Sequence, residues 1–368
     1  MKRLLALDGG GIRGIFSLEI LARIESRLRQ GSGNKDLILA DYFDYIAGTS
    51  TGAIIATCLS WGMSVAEVQE LYLTHAVEMF TPARFYRRFW NKFDAAGITN
   101  MLKLVFSEDG EGKVPATLGT TKLRTLLTLV MRNHSTGSPW PVSNNPAAKF
   151  NDPAQPGCNL HLPLWQLVRA STAAPVYFPP ETIDLGGKLQ VFVDGGISPY
   201  NNPALLLYLM ATLPCYNLGW ETGVDKLLLV SVGTGRSRTG AGLLRGGQMN
   251  MLYNVGHIPA ALMSSISVEQ DVICRTIGLC TAGEEIDSEI GGLKNPTPAE
   301  LATRKFTYMR YDHIFTPEEL DLAKHESKRG FALDNLQLIP SLQQIGARYA
   351  EEHVRSEHLA PGLRNDDN

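Results

Sequence analysis

The chain has 368 residues, 44% of them hydrophobic and 19% charged, which is enough for a sizeable core in one large α/β domain or two ordinary ones. A formal net charge of −3 and a pI near 6.3 exclude a dedicated binder of nucleic acid polymers, which would carry a basic excess. No apolar run reaches the roughly 18 residues of a membrane-spanning helix, and five scattered cysteines without a C-x-x-C pair read as reduced thiols of a cytosolic protein, not as a metal or disulfide framework.

Lys2 and Arg3 precede an apolar run, Leu4 to Leu7, that breaks at Asp8. The run is too short for a signal-peptide core and reads as a buried parallel strand. Residues 15–30 place Phe16, Ile20, Ile24 and Leu28 on one helical face, ended by Gly31-Ser32-Gly33. A second strand lies in 41–48, followed by an apolar helix in 49–62 and another helix in 65–80. This β-loop-α-β-loop-α order opens a mainly parallel sheet with helices on its faces. The segment 115–133 is expected to hold a further helix. Residues 133–158 contain five prolines and are expected to form a long loop, with a short strand near Trp140 to Ser143. Residues 164–175 read as a helix stopped by Pro175, 189–196 as a strand ending in a glycine pair, and 226–235 as a strongly buried strand.

Gly9-x-Gly11-x-x-Gly14 has the spacing of a dinucleotide-binding loop. That reading requires an acidic residue at the end of the second strand, to bind ribose hydroxyls. Asp41 and Asp44 instead precede the strand, and the strand runs into Gly48-Thr49-Ser50-Thr51-Gly52. This G-x-S-x-G between strand and helix is the nucleophile-elbow arrangement: small residues at both ends let a tight turn push Ser50 outward. The helix starting near Thr51 points its positive end at the serine. Carboxyl ends of neighbouring parallel strands share one rim, so Gly9, Gly10 and Gly11 fall beside Ser50 and can offer backbone N–H groups to an oxyanion.

A Ser-His-Asp triad is not indicated. None of the eight histidines stands at a predicted strand end beside a glycine turn. Asp194 does, before Gly195 and Gly196, and an aspartate bonded directly to a serine can act as its general base. The ordered set Asp8-Gly9-Gly10-Gly11-Ile12-Arg13-Gly14, Gly48-Thr49-Ser50-Thr51-Gly52 and Asp194-Gly195-Gly196 resembles the patatin-like phospholipases. So do the flanks "ASTAAPVYFPP", "NNPALL" and "SVGTG", and the resemblance covers roughly residues 1–235. It implies a three-layer α/β/α fold, Ser50 as nucleophile, Asp194 as base, and Gly9, Gly10, Gly11 and Arg13 in the oxyanion loop. It also implies hydrolysis of fatty-acyl esters of membrane phospholipids without metal or cofactor.

Residues 236–358 are expected to be a C-terminal part of the same domain, with a regulatory role, and 359–368 a frayed tail. The segments "CTAGEEIDSEIGGL" and "FTYMRYD" resemble bacterial patatin-like effectors of antiphage systems, switched on by a cyclic di- or oligonucleotide. That resemblance implies a cytoplasmic protein with a cyclic nucleotide activator, peripheral contact with the inner membrane when active, and assembly into a homo-oligomer. Residues 80–93, where Phe85, Tyr86, Phe89, Trp90 and Phe93 interleave with Arg84, Arg87, Arg88 and Lys92, are expected to meet the membrane. The rival readings are an unregulated patatin-like lipase or esterase, and a catalytically silent lipid- or nucleotide-binding protein on the same fold. Intact Ser50 and Asp194 count against the second.

Overall fold

The structure, a computed structural model, describes residues 1–79, 91–237, 251–320 and 333–359. Its centre is a nine-stranded sheet built from β1 (Lys2–Leu7), β2 (Tyr45–Thr49), β3 (Leu126–Asn133), β4 (Ser138–Ser143), β5 (Glu181–Asp184), β6 (Leu189–Asp194), β7 (Leu227–Val232), β9 (Leu279–Ala282) and β10 (Thr307–Tyr311), in the order β5-β6-β3-β2-β1-β7-β10-β9 with β4 also on β3. A two-residue strand β8 (Arg236–Ser237) pairs separately with β11 (Ile314–Phe315). The strands β3, β2, β1, β7, β10 and β9 run parallel; β4, β5 and β6 are antiparallel to their neighbours.

Alternation along β1 sends Leu4 and Ala6 to one face and Leu5 and Leu7 to the other, and each pair joins a separate core. The larger core packs α1 (Gly14–Ser32), α2 (Thr51–Ser60), α3 (Val65–Met79), α4 (Ala96–Val105), α5 (Leu164–Ser171) and α8 (Ile339–His353) against the sheet. The smaller packs α6 (Ala204–Thr212) and the end of α7 (Met251–Ile277) on the opposite face. The result is the three-layer α/β/α arrangement. The four apolar positions Phe16, Ile20, Ile24 and Leu28 of α1 are all fully buried.

The helix expected in 115–133 is not there: its last eight residues form β3. Leu126 to Asn133 is flanked by strands on both edges and covered on both faces. A strand in that position needs apolar residues throughout, so its periodicity matches that of a buried helix. The loop expected over 133–158 is present, interrupted by β4.

One feature of the strand pairing positions the site. Residues 128–130 of β3 pair with both β2 and β4, so those strands lie on opposite edges. Residues 131–133 pair with both β4 and β6, so β6 occupies the same edge as β2, just beyond the point where β2 ends. β2 and β6 therefore approach each other end to end along β3.

Candidate active site

Val130 faces Thr49, the last residue of β2, and Met131 faces Asp194, the last residue of β6. Ser50 follows Thr49 directly, so the geometry of β3 brings Ser50 and Asp194 together across 144 residues of chain. Ser50 Oγ donates to Asp194 Oδ2 at 2.5 Å. Asp194 Oδ1 accepts the Gly196 N–H at 2.7 Å, and the Asp194 N–H donates to the Ala173 carbonyl at 3.0 Å.

Ser50 has φ 55° and ψ −123°, a conformation that costs a non-glycine residue about 1–3 kcal/mol. The turn closes because a Cβ on Gly48 would fall on the Gly52 carbonyl, and one on Gly52 would fall on the Leu7 carbonyl of β1. Its flanking side chains are tied back: Thr49 Oγ1 donates to the Tyr200 carbonyl at 2.6 Å, and Thr51 Oγ1 shares a 2.5 Å bond with the Tyr72 hydroxyl. The Ser50 N–H donates to Ser171 Oγ at 3.0 Å, and Ser171 Oγ donates to the Val130 carbonyl at 2.5 Å. Ser171, at the end of α5, thus ties the elbow to β3, a role its sequence context does not reveal.

Asp194 is 3% exposed. Burial pushes its carboxyl up to about 6 from 3.8, against the opposing pull of Ser50, Gly196 and the Arg169 guanidinium. Arg169 is itself buried and lies over the Phe178 ring; it donates to the Pro179 carbonyl at 2.7 Å, and among the described residues its Nε and one terminal nitrogen have no hydrogen-bond partner.

Gly9, Gly10 and Gly11 lie on the same rim as Ser50. A Cβ on Gly9 would stand 3.1 Å from Ser50 Cβ and 2.5 Å from Asn201 Oδ1, so only glycine fits there. The Gly9 N–H is already committed to the Asn201 carbonyl at 3.1 Å. Among the described residues no hydrogen bond takes the N–H of Gly10 or Gly11, which leaves these two, with the Thr51 N–H at the start of α2, as donors available to an oxyanion. The Arg13 guanidinium donates to the Gly235 carbonyl at 3.1 Å and reaches the Gly10 carbonyl at 3.5 Å, so it braces the loop. Asn201 entered the sequence reading only as part of a flanking segment, with no role assigned; its Nδ2 bonds Ser267 Oγ of α7 at 2.9 Å and the Gly9 carbonyl at 3.4 Å.

Neither Ser50 nor Asp194 bonds a histidine among the described residues. His75 bonds Glu78, His313 bonds Glu284 and Glu319, and His353 and His358 bond Tyr349 and Tyr311. No group of three or more His, Cys, Asp or Glu among the described residues could hold a metal ion. No helix among them is long and apolar enough to cross a membrane.

The expected membrane-facing segment falls largely on residues 80–90, outside the described residues. Of its described part, Phe93 does not match the expectation: it is buried, stacked on Tyr177 and tilted against Phe178. The neighbouring Lys92 pairs with Asp334 and lies over the Tyr177 ring.

Patatin-17 of Solanum cardiophyllum is 30% identical over 253 residues, 64% of this chain and 61% of that protein. The cGAMP-activated phospholipase of Vibrio cholerae is 33% identical over 216 residues, 55% of this chain and 56% of that protein. The aligned region thus spans less than two thirds of the length of these curated relatives. Among solved structures, VipD from Legionella pneumophila aligns with 96% of this chain and 67% of its own at a TM-score of 0.39 and 14% identity. Residues 5–208, more than half of the chain, match the family model for patatin-like phospholipases, and the chain belongs to that family.

Proposed function

We propose that the protein hydrolyses fatty-acyl esters of membrane phospholipids with Ser50 as nucleophile and Asp194 as general base. The observation that carries this reading is the 2.5 Å bond from Ser50 Oγ to Asp194 Oδ2, made by a serine held at φ 55°. Ser50 Oγ attacks the ester carbonyl carbon as its proton passes to Asp194. The oxygen of the tetrahedral intermediate accepts bonds from the N–H groups of Gly10, Gly11 and Thr51. Collapse of the intermediate expels the alcohol, which takes the proton back from Asp194. Water then attacks the acyl-serine and gives its proton to the same carboxylate, and the second intermediate collapses to release the fatty acid as Ser50 Oγ takes that proton back. No metal or organic cofactor enters these steps.

The test is hydrolysis of a soluble short-chain ester and of phospholipid vesicles by the purified protein, beside Ser50→Ala. Release of fatty acid by the wild type alone supports the reading; equal release by both proteins refutes it.

We further propose that a cyclic di- or oligonucleotide switches the enzyme on in antiphage defence, and that it works in the cytoplasm, meeting the inner membrane and self-associating when active. The name of the Vibrio cholerae relative, a cGAMP-activated phospholipase, supports this. Residues 1–235 would then form the catalytic core and 236–358 the regulatory part. An activator that raises the active fraction from about 1% to 99% must prefer the active state by roughly 5.5 kcal/mol. Vesicle hydrolysis with a panel of cyclic di- and trinucleotides tests this part: one should raise the rate sharply. High basal activity indifferent to all of them leaves an unregulated lipase.

A further inference from the structure

Gly9 to Gly11 sit between two fixed points, and both lead to one buried side chain. On the amino side, Asp8 receives both arms of the Arg310 guanidinium, at 2.9 and 2.7 Å. On the carboxyl side, Arg310 donates to Asp312 Oδ2 at 3.0 Å, and Asp312 Oδ1 accepts the Gly235 N–H at 3.0 Å. The Gly235 carbonyl then holds Arg13, whose Nε reaches the Gly10 carbonyl. A fourth contact, Arg310 to Ser231 Oγ at 2.7 Å, fixes the guanidinium to β7, the strand between β10 and β1. Arg310 is 2% exposed, so none of these bonds competes with water.

We infer that Arg310 is a positioning residue that sets the oxyanion donors of Gly10 and Gly11. The inference rests on the dyad and oxyanion assignment proposed above. The physical link is the planar peptide: the Gly10 carbonyl and the Gly11 N–H belong to one trans unit and point in opposite directions. Holding the carbonyl back towards Arg13 aims the N–H forward. Asp8 fixes the chain direction where the loop leaves β1. A forked guanidinium can grip Asp8 with two parallel bonds and still reach Asp312, which an ammonium cannot do. Ser231, Gly235, Arg310 and Asp312 all lie beyond residue 208, where the family match ends. The later part of this chain therefore completes a site whose chemistry lies in the earlier part.

Arg310→Lys keeps the charge and removes the fork, so it is the first variant to measure. Thermal melting establishes that it folds, and fluorophosphonate labelling counts reactive Ser50. On a soluble ester kcat should fall by about 100-fold, the loss expected when an oxyanion donor is misplaced, with KM within about threefold of wild type. Affinity for a trifluoromethyl ketone, which forms an oxyanion on Ser50, should fall in step with kcat. The pH midpoint of kcat/KM, set by Asp194, should not move. A folded Arg310→Lys with wild-type kcat overturns the inference, as does a loss confined to KM or a displaced pH midpoint. Should that variant not fold, Asp312→Asn takes its place, since it keeps the Arg310–Asp8 grip and weakens the link through Asp312 to Gly235, along with the Arg236–Asp312 pair. Its kcat should fall by about tenfold, and full activity there overturns the inference. A wild type that, with and without the panel of cyclic di- and trinucleotides, neither hydrolyses ester nor labels at Ser50 overturns the reading of the site itself, and this inference with it.

Discussion

Ser50 and Asp194, at the ends of β2 and β6, are held by neutral partners: the Ser171 hydroxyl and the Gly196 N–H. The glycine loop at the end of β1 is held by ions, through Asp8, Arg310 and Asp312. Both arrangements are buried and lie on one rim of one sheet, yet they leave their aspartates in different conditions. Asp8 has both oxygens on a guanidinium. Asp194 gives one oxygen to a backbone N–H and keeps the other for the serine proton. A carboxylate that must accept a proton needs an oxygen free of any cation, whereas one that only fixes a loop is best gripped at both. The Arg169 guanidinium acts on Asp194 through its charge, while its own hydrogen bond goes to the Pro179 carbonyl.

The largest expected effect comes from breaking the neutral side. Ser50→Ala and Asp194→Asn should each lower kcat on a soluble ester by at least about 10³-fold. Because the two act as a unit, the double variant should be little worse than either single one. An Asp194→Asn enzyme retaining a tenth of wild-type activity would remove Asp194 from the base role. Circular dichroism should show all three variants folded.

A smaller effect should follow from Ser171→Ala, which leaves the Ser50 N–H buried without an acceptor, at a cost of about 1–3 kcal/mol. We expect a lower melting temperature and a kcat reduced by about tenfold, since one decade of rate corresponds to about 1.36 kcal/mol. Ser171→Thr, which restores the hydroxyl, should recover most of the rate. An active, fully stable Ser171→Ala would show that the elbow holds itself.

The pH dependence sharpens the contrast further. With the Asp194 carboxyl at about 6, kcat/KM should rise about tenfold per pH unit below that midpoint and level off above it. The Arg169 guanidinium favours the charged form of Asp194, so Arg169→Met should move the midpoint to higher pH. A midpoint that stays in place, in a variant that remains folded, would show that Arg169 serves only to pack.

The remaining effect is on stability and leaves the rate of the wild type untouched, and its sign follows from linkage. The carboxyl of Asp194 is raised from 3.8 to about 6 on folding, so its contribution to stability is fully present below pH 3.8 and is lost as pH rises through about 6. Ionised Asp194 therefore costs the fold up to roughly 3 kcal/mol above neutrality. Asp194→Asn should melt higher than the wild type at pH 8, and the gap should close towards pH 4. A gap that widens on acidification would contradict the burial-dominated environment of this carboxyl.

Much of the local structure was legible because its signals are local. Phe16, Ile20, Ile24 and Leu28 mark α1 by spacing alone, and the glycine pairs around Ser50 and after Asp194 mark turns by what their backbones allow. The eight residues of β3 misled for a physical reason: a strand buried on both faces carries no alternation to distinguish it from a helix. The membrane-facing reading of Phe93 failed similarly, since aromatic residues interleaved with cations describe both a lipid interface and a packed ring with a solvated neighbour.

By itself, the sequence determined the residue types at the site: a serine in a strained turn, an aspartate before a glycine pair, a glycine-rich loop, and their order along the chain. Only the tertiary structure decided which of them meet. Asp194 reaches Ser50 because β6 docks antiparallel on the edge of β3 just past β2. Gly9 is removed from the free donors because Asn201 takes its N–H. Arg13 is tied to the Gly235 carbonyl, and Ser171, Asn201 and Arg310 join the site through hydrogen bonds that no spacing in the sequence specified. Turn and helix preferences act over a few residues and can be read from a short window. Hydrogen bonds across a sheet depend on which strand edges are paired, and that is settled only when the whole chain is packed.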